Sequence, residues 1–289
     1  MKFTFAETFC DPRQFATLAP AAENAGFDCF AVPESIVYPK HSDARYPYTA
    51  SGDRSFVDQP MIDPFVLATH MAALTGKIQF LTFVVKLAVR NPILAAKSAA
   101  SVAVISDNRF LFGVGLSPWP HDFALCGQPF EQRGKRMNEM IEIVRGLCGG
   151  GWFEYHGEFY DFGEISINPV PTQPMPILLG GHSDAALRRA ALHGDGWVHA
   201  GGDKDQLQPL LARLQEIRKA EGVRDKPFEI HVISMDAFGL DGIRRLEDQG
   251  VTGVFVGFRN PYDPSTAAMP VEDKVAAMNT YAETVISKL

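Results

Sequence analysis

Short apolar runs alternate with longer segments of helical periodicity along the whole chain. The runs are too short for helices and have the composition of strands buried on both faces, as in a parallel sheet. They lie at residues 2–6, 27–32, 78–87, 109–114, 177–179, 196–200, 228–233 and 252–258. The segments with helical periodicity, bounded mostly by proline or glycine, lie at residues 12–24, 64–76, 92–106, 130–147, 184–193, 204–221, 240–249 and 271–288.

Eight strands that alternate with helices predict an α/β fold with a parallel sheet. The pattern shows no break that would divide the sheet into two Rossmann halves. The simplest arrangement is therefore a closed (β/α)8 barrel, the TIM barrel. A chain of 289 residues can form one such domain, and we expect a single domain over residues 1–289.

Three connections are much longer than the others, at residues 34–63, 116–129 and 149–175. The first two follow the second and fourth strands, and they leave from the carboxyl ends, where barrel enzymes place their active sites. The third precedes the fifth strand. Its segment WFEYHGEFYDF predicts a β-hairpin that covers the bottom of the barrel and has a structural role.

The loop after the second strand combines aromatic and basic residues without helical or strand periodicity. Its aromatic residues are Tyr38, Tyr46, Tyr48 and Phe56, and its basic residues are Lys40, His41, Arg45 and Arg54. We expect a substrate lid, because aromatic rings can cover a flat apolar molecule and cations can meet an anionic tail. A surface excursion or a dimer contact is the alternative, since a packed loop has the same composition.

A strand, a glycine turn and a helix follow one another between residues 176 and 197. Gly180 and Gly181 end the strand, and either Ser183 or Asp184 can cap the helix. The backbone N–H groups and the helix dipole at such a turn can bind a phosphate group. An ordinary strand-to-helix connection looks the same in sequence, so both interpretations stay open here.

The segment GVGLSPWPHDF follows the fourth strand. It lacks the third glycine of the GxGxxG pattern and shows no sign of a following helix, so it is not a dinucleotide fingerprint. Its prolines stiffen a loop that carries Trp119, His121 and Asp122 over the barrel mouth. The indole of Trp119 can either stack on a planar ring or pack beneath the loop.

Composition and charge narrow the classes of partner. The net charge of −7 and the isoelectric point near 5.6 argue against a nucleic acid or an anionic membrane. The amino-terminal segment lacks the apolar core of a secretory signal, and the four cysteines are scattered, as in proteins with reduced thiols. We therefore expect a cytoplasmic protein that acts on a small molecule.

Common catalytic motifs do not occur in the sequence. The eight histidines include no HxH or HExxH pattern, and we expect no metal site, although His199 and His231 leave a zinc hydrolase open. No GxSxG nucleophile motif is found either. A barrel without catalytic groups of its own suggests an organic cofactor that supplies the chemistry.

Several segments, taken in order, resemble the bacterial luciferase-like family (LLM class) of flavin- and deazaflavin-dependent oxidoreductases. They are AENAGFDCFAVPES, the block from DPFVLATHMAALTG to FLFGVG, PFEQRGKRMNEMIEIVRGL, FEYHGEFYDF and GGHSDAALRRAALHGDGW. The SPWP loop and the tyrosine-rich loop are most similar to the branch that uses coenzyme F420, a deazaflavin. The resemblance implies a (β/α)8 barrel, in agreement with the strand count.

The resemblance also implies positions for the cofactor. In family members a non-prolyl cis peptide in the third strand supports the back of the isoalloxazine ring, and the matching bond here is Phe83–Val84. The phosphate grip of the family matches Gly180, Gly181, His182 and Ser183. The residues that would flank the ring and the ribityl chain are Leu116, Ser117, Pro118 and Trp119.

Two departures from the family pattern change the expected chemistry. Many relatives have an acidic residue and then a histidine after the second strand, whereas this chain has Glu34 and Ser35. The usual general acid is thus missing, which argues against chemistry like that of glucose-6-phosphate dehydrogenase. Where relatives have glycine and glutamate after the fourth strand, this chain has Ser117 and Pro118.

We expect an F420-dependent oxidoreductase that transfers a hydride between C5 of the deazaflavin and an unidentified small organic substrate. The candidate proton-handling or substrate-contact groups are Glu34, Ser35 and His121. An FMN-dependent monooxygenase is the alternative function, and a cofactor-binding protein without turnover is a second one. We also expect a homodimer.

Overall fold

Each apolar run of the sequence becomes one strand of a barrel, because a parallel sheet covered on both faces buries its strands completely. The computed structural model describes residues 1–41, 44–46, 52, 59–202, 204–261, 263, 266 and 268–289. The strands, numbered in chain order, are β1 (Lys2–Ala6), β2 (Cys29–Val32), β3 (Gln79–Thr82), β4 (Val85–Lys86), β5 (Phe110–Gly115), β6 (Phe153–His156), β7 (Asp161–Ile165), β8 (Ile177–Gly180), β9 (Gly196–Val198), β10 (Glu229–Ile233) and β11 (Gly253–Val256).

Eight of these strands close the barrel. Their order around it is β1, β2, β3, β5, β8, β9, β10 and β11, and all neighbours are parallel. The ring closes where β11 pairs with β1, in the register Val254↔Phe3, and is continuous between β3 and β5, where Phe80 lies opposite Phe110. The predicted (β/α)8 barrel is confirmed.

The helices are α1 (Phe15–Asn24), α2 (Pro64–Ala72), α3 (Pro92–Ile105), α4 (Pro120–Leu125), α5 (Arg133–Cys148), α6 (Asp184–His193), α7 (Leu207–Ala220), α8 (Leu240–Asp248) and α9 (Val271–Thr284). Two of them begin as the sequence signals predict. Asp63 accepts hydrogen bonds from the first-turn amides of α2, and Asn91 does the same for α3; a proline follows each cap. No helix in the described part of the chain is long and apolar enough to cross a bilayer.

The barrel wall separates two apolar layers. Alternate strand residues point outward and pack against the helices, among them Phe5, Phe30 and Phe112. The others point inward and fill the barrel as a compact column of Cys29, Ala31, Leu81, Leu111, Leu178, Val198 and Phe255. Side chains therefore fill the centre of the barrel, and the mouth at the carboxyl ends of the strands is the end where barrel enzymes bind their ligands.

The predicted third strand, residues 78–87, is interrupted near its end. β3 stops at Thr82, the Phe83–Val84 peptide bond is cis, and β4 continues from Val85 beside β5. The cis bond implied by the family resemblance is confirmed.

Two glycines of β5 make room for this interrupted strand. A Cβ atom on Gly113 would lie 1.8 Å from the carbonyl oxygen of Thr82, and a Cβ atom on Gly115 would lie 2.8 Å from Val84 Cγ2. The hydroxyl of Thr82 also donates a hydrogen bond to the Gly113 carbonyl at 2.7 Å. The GVG sequence therefore serves close backbone approach, which explains these glycines without a nucleotide fingerprint.

Two expectations about the long connections need correction. A short helix, α4, does follow the SPWP segment; its six residues are too few to show a periodic pattern in sequence. The 149–175 connection contains the predicted hairpin, formed by β6 and β7. The prediction placed this hairpin beneath the barrel, whereas its contacts fix it to the side of α5: the Glu139 carboxylate accepts hydrogen bonds from the backbone amides of Glu158 and Tyr160.

Replacing Gly113 by alanine tests the close approach of β3 and β5. The added methyl group meets a backbone carbonyl that cannot rotate away, so Gly113→Ala should lower the free energy of unfolding in urea by about 3 kcal/mol or more. Gly76→Ala is the control, because a Cβ atom there meets nothing within 4 Å; its effect should stay within about 0.5 kcal/mol. Equal effects of the two substitutions would contradict this account.

Candidate active site

The floor of the barrel mouth is apolar. Val84 projects across the mouth, so that Cβ atoms on Gly115 and Gly180 would lie 2.8 and 3.5 Å from its side chain. The ring of Phe83 lies against β11, where it stacks on Phe255 with centroids 4.2 Å apart and planes inclined by 24°. Both residues are half-buried and pack on the inner column of the barrel. This surface suits the face of an aromatic ring.

Glu34, which follows β2, is held in an ion pair at the edge of the mouth. One carboxylate oxygen accepts a hydrogen bond from the Lys86 backbone N–H at 2.5 Å, and the other pairs with the Arg90 guanidinium. The side chain of Glu34 is only 2% exposed. Glu34 therefore ties the loop after β2 to β4, and the half-buried Ser35 follows it in this loop.

A second buried carboxylate, Asp122, organises the loop after β5. Its Oδ2 atom accepts hydrogen bonds from Lys86 Nζ and Ser117 Oγ, both at 2.6 Å. Ser117 Oγ in turn accepts a hydrogen bond from the Trp119 backbone N–H at 3.1 Å. The hydroxyl of Ser117, a predicted cofactor contact, is thus engaged within the loop. Leu116 and Pro118, on either side of it, are half-buried.

His121 lies beside the same carboxylate. Its Nε2 atom is 3.6 Å from Asp122 Oδ1, an oxygen that has no hydrogen-bond partner among the described residues. At 3.6 Å this contact is longer than a hydrogen bond, so the carboxylate acts on the imidazole through its charge. Of the predicted proton-handling groups, Glu34 is fixed in an ion pair, whereas His121 has a neighbour suited to proton exchange.

Lys86 joins the two loops, and the sequence analysis missed it. Its backbone N–H binds Glu34 and its ammonium group binds Asp122, so one residue just beyond the cis bond holds the loops after β2 and β5. The signal available in the sequence was a lysine inside the apolar run 78–87, because a lysine is rarely buried unless it is paired.

Trp119 packs beneath its loop. The indole is buried, and it stacks on Tyr46 and on His121 with centroid separations of 5.8 Å in both cases. It belongs to an aromatic cluster that also includes Phe9, Tyr38, Ala44 and Met61. The loops after β1, β2 and β5 therefore meet in one cluster. Tyr48, Arg54 and Phe56, named as parts of a substrate lid, lie outside the described residues, and the lid stays a prediction.

The glycine turn after β8 forms a cradle at the amino terminus of α6. Gly181 has a φ of 125°, and a Cβ atom there would lie 2.7 Å from the Ala186 side chain. Ser183 caps α6 by accepting a hydrogen bond from the Ala186 backbone N–H at 3.3 Å. The first-turn amides of α6 have no acceptor within the helix. Asp184 pairs with Arg213 at 2.6 Å, which compensates a carboxylate that would repel an anion.

Two imidazoles stack beside this turn. The rings of His182 and His199 have centroids 4.7 Å apart and planes inclined by 13°. His182 Nε2 accepts a hydrogen bond from the Ala200 backbone N–H at 3.2 Å. Burial lowers the pKa of His182, and burial together with the nearby His182 lowers the pKa of His199 to about 4. Both rings are therefore neutral at pH 7. The sequence analysis named His182 but assigned His199 only to a zinc site.

The side chains of the two histidines in that zinc hypothesis have different environments, although the His199 backbone N–H donates a hydrogen bond to the His231 carbonyl at 2.8 Å. His231 lies inside the barrel, where its Nε2 atom is 2.6 Å from Glu229 Oε2 and Glu229 binds Lys2 at 2.6 Å. His199 instead stacks on His182 at the mouth. Among the residues that the structure describes, no group of three or more histidine, cysteine or acidic side chains could hold a metal ion.

A cavity of about 510 Å³ lies at the other end of the barrel, between α5, α6 and the segment leading into β10. Its charged groups already hold the surrounding segments together. Arg145 binds Asp195 at 3.0 Å, and Arg218 donates hydrogen bonds to the carbonyls of Val223 and Lys226 at 3.0 and 2.7 Å. Because Asp195 immediately precedes β9, this cavity is on the amino-terminal side of the strands, away from the mouth.

Removing one partner of the Lys86–Asp122 pair should destabilise the protein strongly. Lys86→Met leaves a buried carboxylate without its cation, and Asp122→Asn leaves a buried ammonium, so each should cost about 3–5 kcal/mol in urea unfolding. The double variant contains neither charge, and its cost should fall about 2 kcal/mol below the sum of the two. Additive effects would show that the charges are not coupled. Arg13→Met, which breaks an exposed pair with Asp11, should leave the unfolding midpoint nearly unchanged.

Comparisons with known proteins agree with this geometry. A sequence model described as luciferase-like monooxygenase matches residues 5–236. A Mycobacterium tuberculosis protein of uncharacterised function is 51% identical over 290 residues, covering all of both chains. The F420-dependent glucose-6-phosphate dehydrogenase of Gordonia bronchialis is 31% identical over 227 residues, which cover 75% of this chain and 62% of the relative.

Two solved structures share the fold over almost their full lengths. The monooxygenase RslO1 from Streptomyces bottropensis gives a TM-score of 0.76 at 18% identity, covering 100% of this chain and 99% of its own. The coenzyme F420-dependent tetrahydromethanopterin reductase from Methanopyrus kandleri gives 0.74 at 17% identity and covers 99% of both. The chain therefore belongs to the luciferase-like family, whose members include coenzyme F420-dependent oxidoreductases and flavin-dependent monooxygenases.

Proposed function

We propose that the protein is a coenzyme F420-dependent oxidoreductase that transfers a hydride between C5 of the deazaflavin and a small organic substrate. The observation that carries this proposal is the pairing of two features at one mouth: the apolar floor of Phe83 and Val84 and the glycine cradle after β8. A cofactor with a flat ring and a phosphate-bearing chain would match both features, the ring on the apolar floor and the phosphate in the glycine cradle. The named activity of the 31% identical relative supports F420 over other cofactors with this shape.

The residues present fit such a cofactor. Phe83 and Val84 would support the ring, and Leu116 and Pro118 would flank it. The phosphate end would lie at the turn of Gly180, Gly181, His182 and Ser183, where a side chain at position 181 would fill the cradle. When bound, the deazaflavin supplies the two-electron chemistry. The chain contributes binding, orientation and exclusion of water from the mouth.

Proton handling would fall to His121 under this proposal. Its imidazole lies 3.6 Å from the Asp122 carboxylate, and the aromatic contact with Trp119 limits its rotation. Glu34 would act as a positioning residue, because its carboxylate is engaged by Lys86 and the Arg90 side chain. Ser35 would contact the substrate beside it.

An FMN-dependent monooxygenase is the second candidate, because the matching family model is described as luciferase-like monooxygenase. The same floor and cradle would accept FMN. The two candidates differ in the fate of the reduced cofactor, since a deazaflavin does not readily activate oxygen whereas a reduced flavin does.

Titrations of the cofactor-free protein with coenzyme F420 and with FMN, followed by fluorescence, decide between them. We expect F420 to bind at least about tenfold more tightly, a difference of about 1.4 kcal/mol, and the reduced complex to consume no oxygen. Tighter FMN binding with oxygen uptake would establish the monooxygenase instead. Binding without reoxidation across a panel of substrates would indicate a cofactor-binding protein without turnover.

Substitution of Gly181 tests the placement of the phosphate end. In Gly181→Ala the methyl group would meet Ala186 at 2.7 Å, in a backbone conformation that alanine disfavours, so cofactor affinity should fall by about tenfold or more. Gly222→Ala is the matched control, because Gly222 also has a positive φ but open space around it, far from the mouth. Wild-type affinity in Gly181→Ala would place the phosphate elsewhere.

The expected homodimer has a suitable surface on α2 and α3, which pack side by side. Val66, Leu94 and Ile105 are 62%, 68% and 58% exposed, and Leu94 and Ile105 lie on one face of α3. A second copy of the chain would cover this surface. We expect a dimer by light scattering, and Leu94→Glu should shift it to the monomer with the barrel still folded. A wild-type monomer would refute the proposal.

A further inference from the structure

His199 stands out because its buried ring lacks polar partners. The residue is 2% exposed, and neither ring nitrogen has a hydrogen-bond partner of ordinary geometry among the described residues, although the backbone of Ile233 interacts with the ring. A neutral imidazole carries one N–H donor, and leaving such a donor unsatisfied in the interior costs about 1–3 kcal/mol. A ligand bound beside the ring would supply the missing hydrogen-bond acceptor.

The surroundings of His199 are built for an anion. β8 and β9 are neighbours in the barrel, with Gly180 opposite Val198, so the turns after these strands lie side by side. The second turn contains Gly201 and Gly202, with φ values of 86° and 114°, and it follows His199 directly. Turns of this kind expose backbone N–H groups, and the amino terminus of α6 adds its dipole.

The ionisable groups around the ring leave it without a counter-charge. His182 stacks on it from the turn after β8, Asp184 of α6 is paired with Arg213, and Asp236 beyond β10 is paired with Arg245. Asp205 lies in the short helical turn after Gly202. No described carboxylate is within ion-pair distance of the His199 ring itself, so a bound anion would be its counter-charge.

We propose that His199 is a proton-coupled part of the phosphate site: it takes up a proton when the phosphate end of the cofactor binds, so affinity rises as pH falls. This inference rests on the proposed function, because it assumes that the glycine cradle holds the phosphate.

The sign of the effect follows from the charge states. In the free protein, burial lowers the pKa of His199 to about 4; the neighbouring His182, in its protonated form, acts in the same direction, and the backbone of Ile233 opposes both. A phosphate anion beside the ring stabilises the imidazolium and raises this pKa. A group whose pKa rises on binding takes up a proton, so affinity increases as pH falls through the bound-state pKa and levels off near pH 4.

The test measures the dissociation constant of the tighter-binding cofactor, F420 or FMN, from pH 5.5 to 8.5 in the wild type, His199→Asn and His70→Asn. A phosphate monoester titrates near pH 6 itself, so the ratio of the His199→Asn to the wild-type constant is the quantity of interest. We expect this ratio to rise by about tenfold between pH 8.5 and pH 5.5, because uptake of one proton changes the affinity by at most tenfold per pH unit. His70→Asn, on the exposed face of α2, should follow the wild type. Riboflavin and deazariboflavin both lack the phosphate, so the same ratio measured with either of them should not change with pH.

Calorimetry of the wild type and of His199→Asn, each in two buffers of different ionisation enthalpy, measures the proton uptake directly, and the difference between the two proteins removes the titration of the phosphate itself. Greater uptake of protons by the wild type at pH 6–7, absent with the phosphate-free ring, supports the proposal. Cofactor binding with a flat ratio and no uptake overturns it and leaves the proposed function intact. Failure of both cofactors to bind at any pH overturns the proposed function and this inference with it.

Discussion

The mouth of this barrel depends on a steric constraint inside its wall. β3 and the cis Phe83–Val84 bond can lie against β5 only because positions 113 and 115 have no side chains; a Cβ atom on Gly113 would be 1.8 Å from the Thr82 carbonyl oxygen. This approach brings Val84 over the centre of the mouth and starts β4 beside the end of β5. The apolar floor is thus a consequence of backbone packing.

Electrostatics then fix the loops around this floor. Lys86 follows the bend: its backbone N–H donates a hydrogen bond to Glu34 in the loop after β2, and its ammonium group pairs with Asp122 in the loop after β5. Charges that are buried and paired hold one geometry, because separating them exposes each to a medium that solvates it poorly. The described parts of the two loops are therefore held by charges of the protein itself, an arrangement that suits the binding of an organic cofactor.

The sequence was sufficient for the architecture and for those structural features of the candidate site that are local in the chain. Eight apolar runs identified the barrel, and the family resemblance located the cis bond and the glycine turn. Lys86, Asp122 and His199 could not be assigned, because their roles come from partners on other loops. The open question about Trp119 was one of packing, which periodicity does not address, and the structure buries the indole among residues from three loops.

A crystal structure of the protein with coenzyme F420 bound is the most direct test of the central claim that one mouth holds both the ring and the phosphate. The account predicts the deazaflavin ring against Phe83 and Val84 and the phosphate within hydrogen-bond distance of the backbone amides at Gly181 and Ser183. A ring distant from Val84, or a phosphate in the cavity beside Arg218 at the opposite end of the barrel, would contradict it.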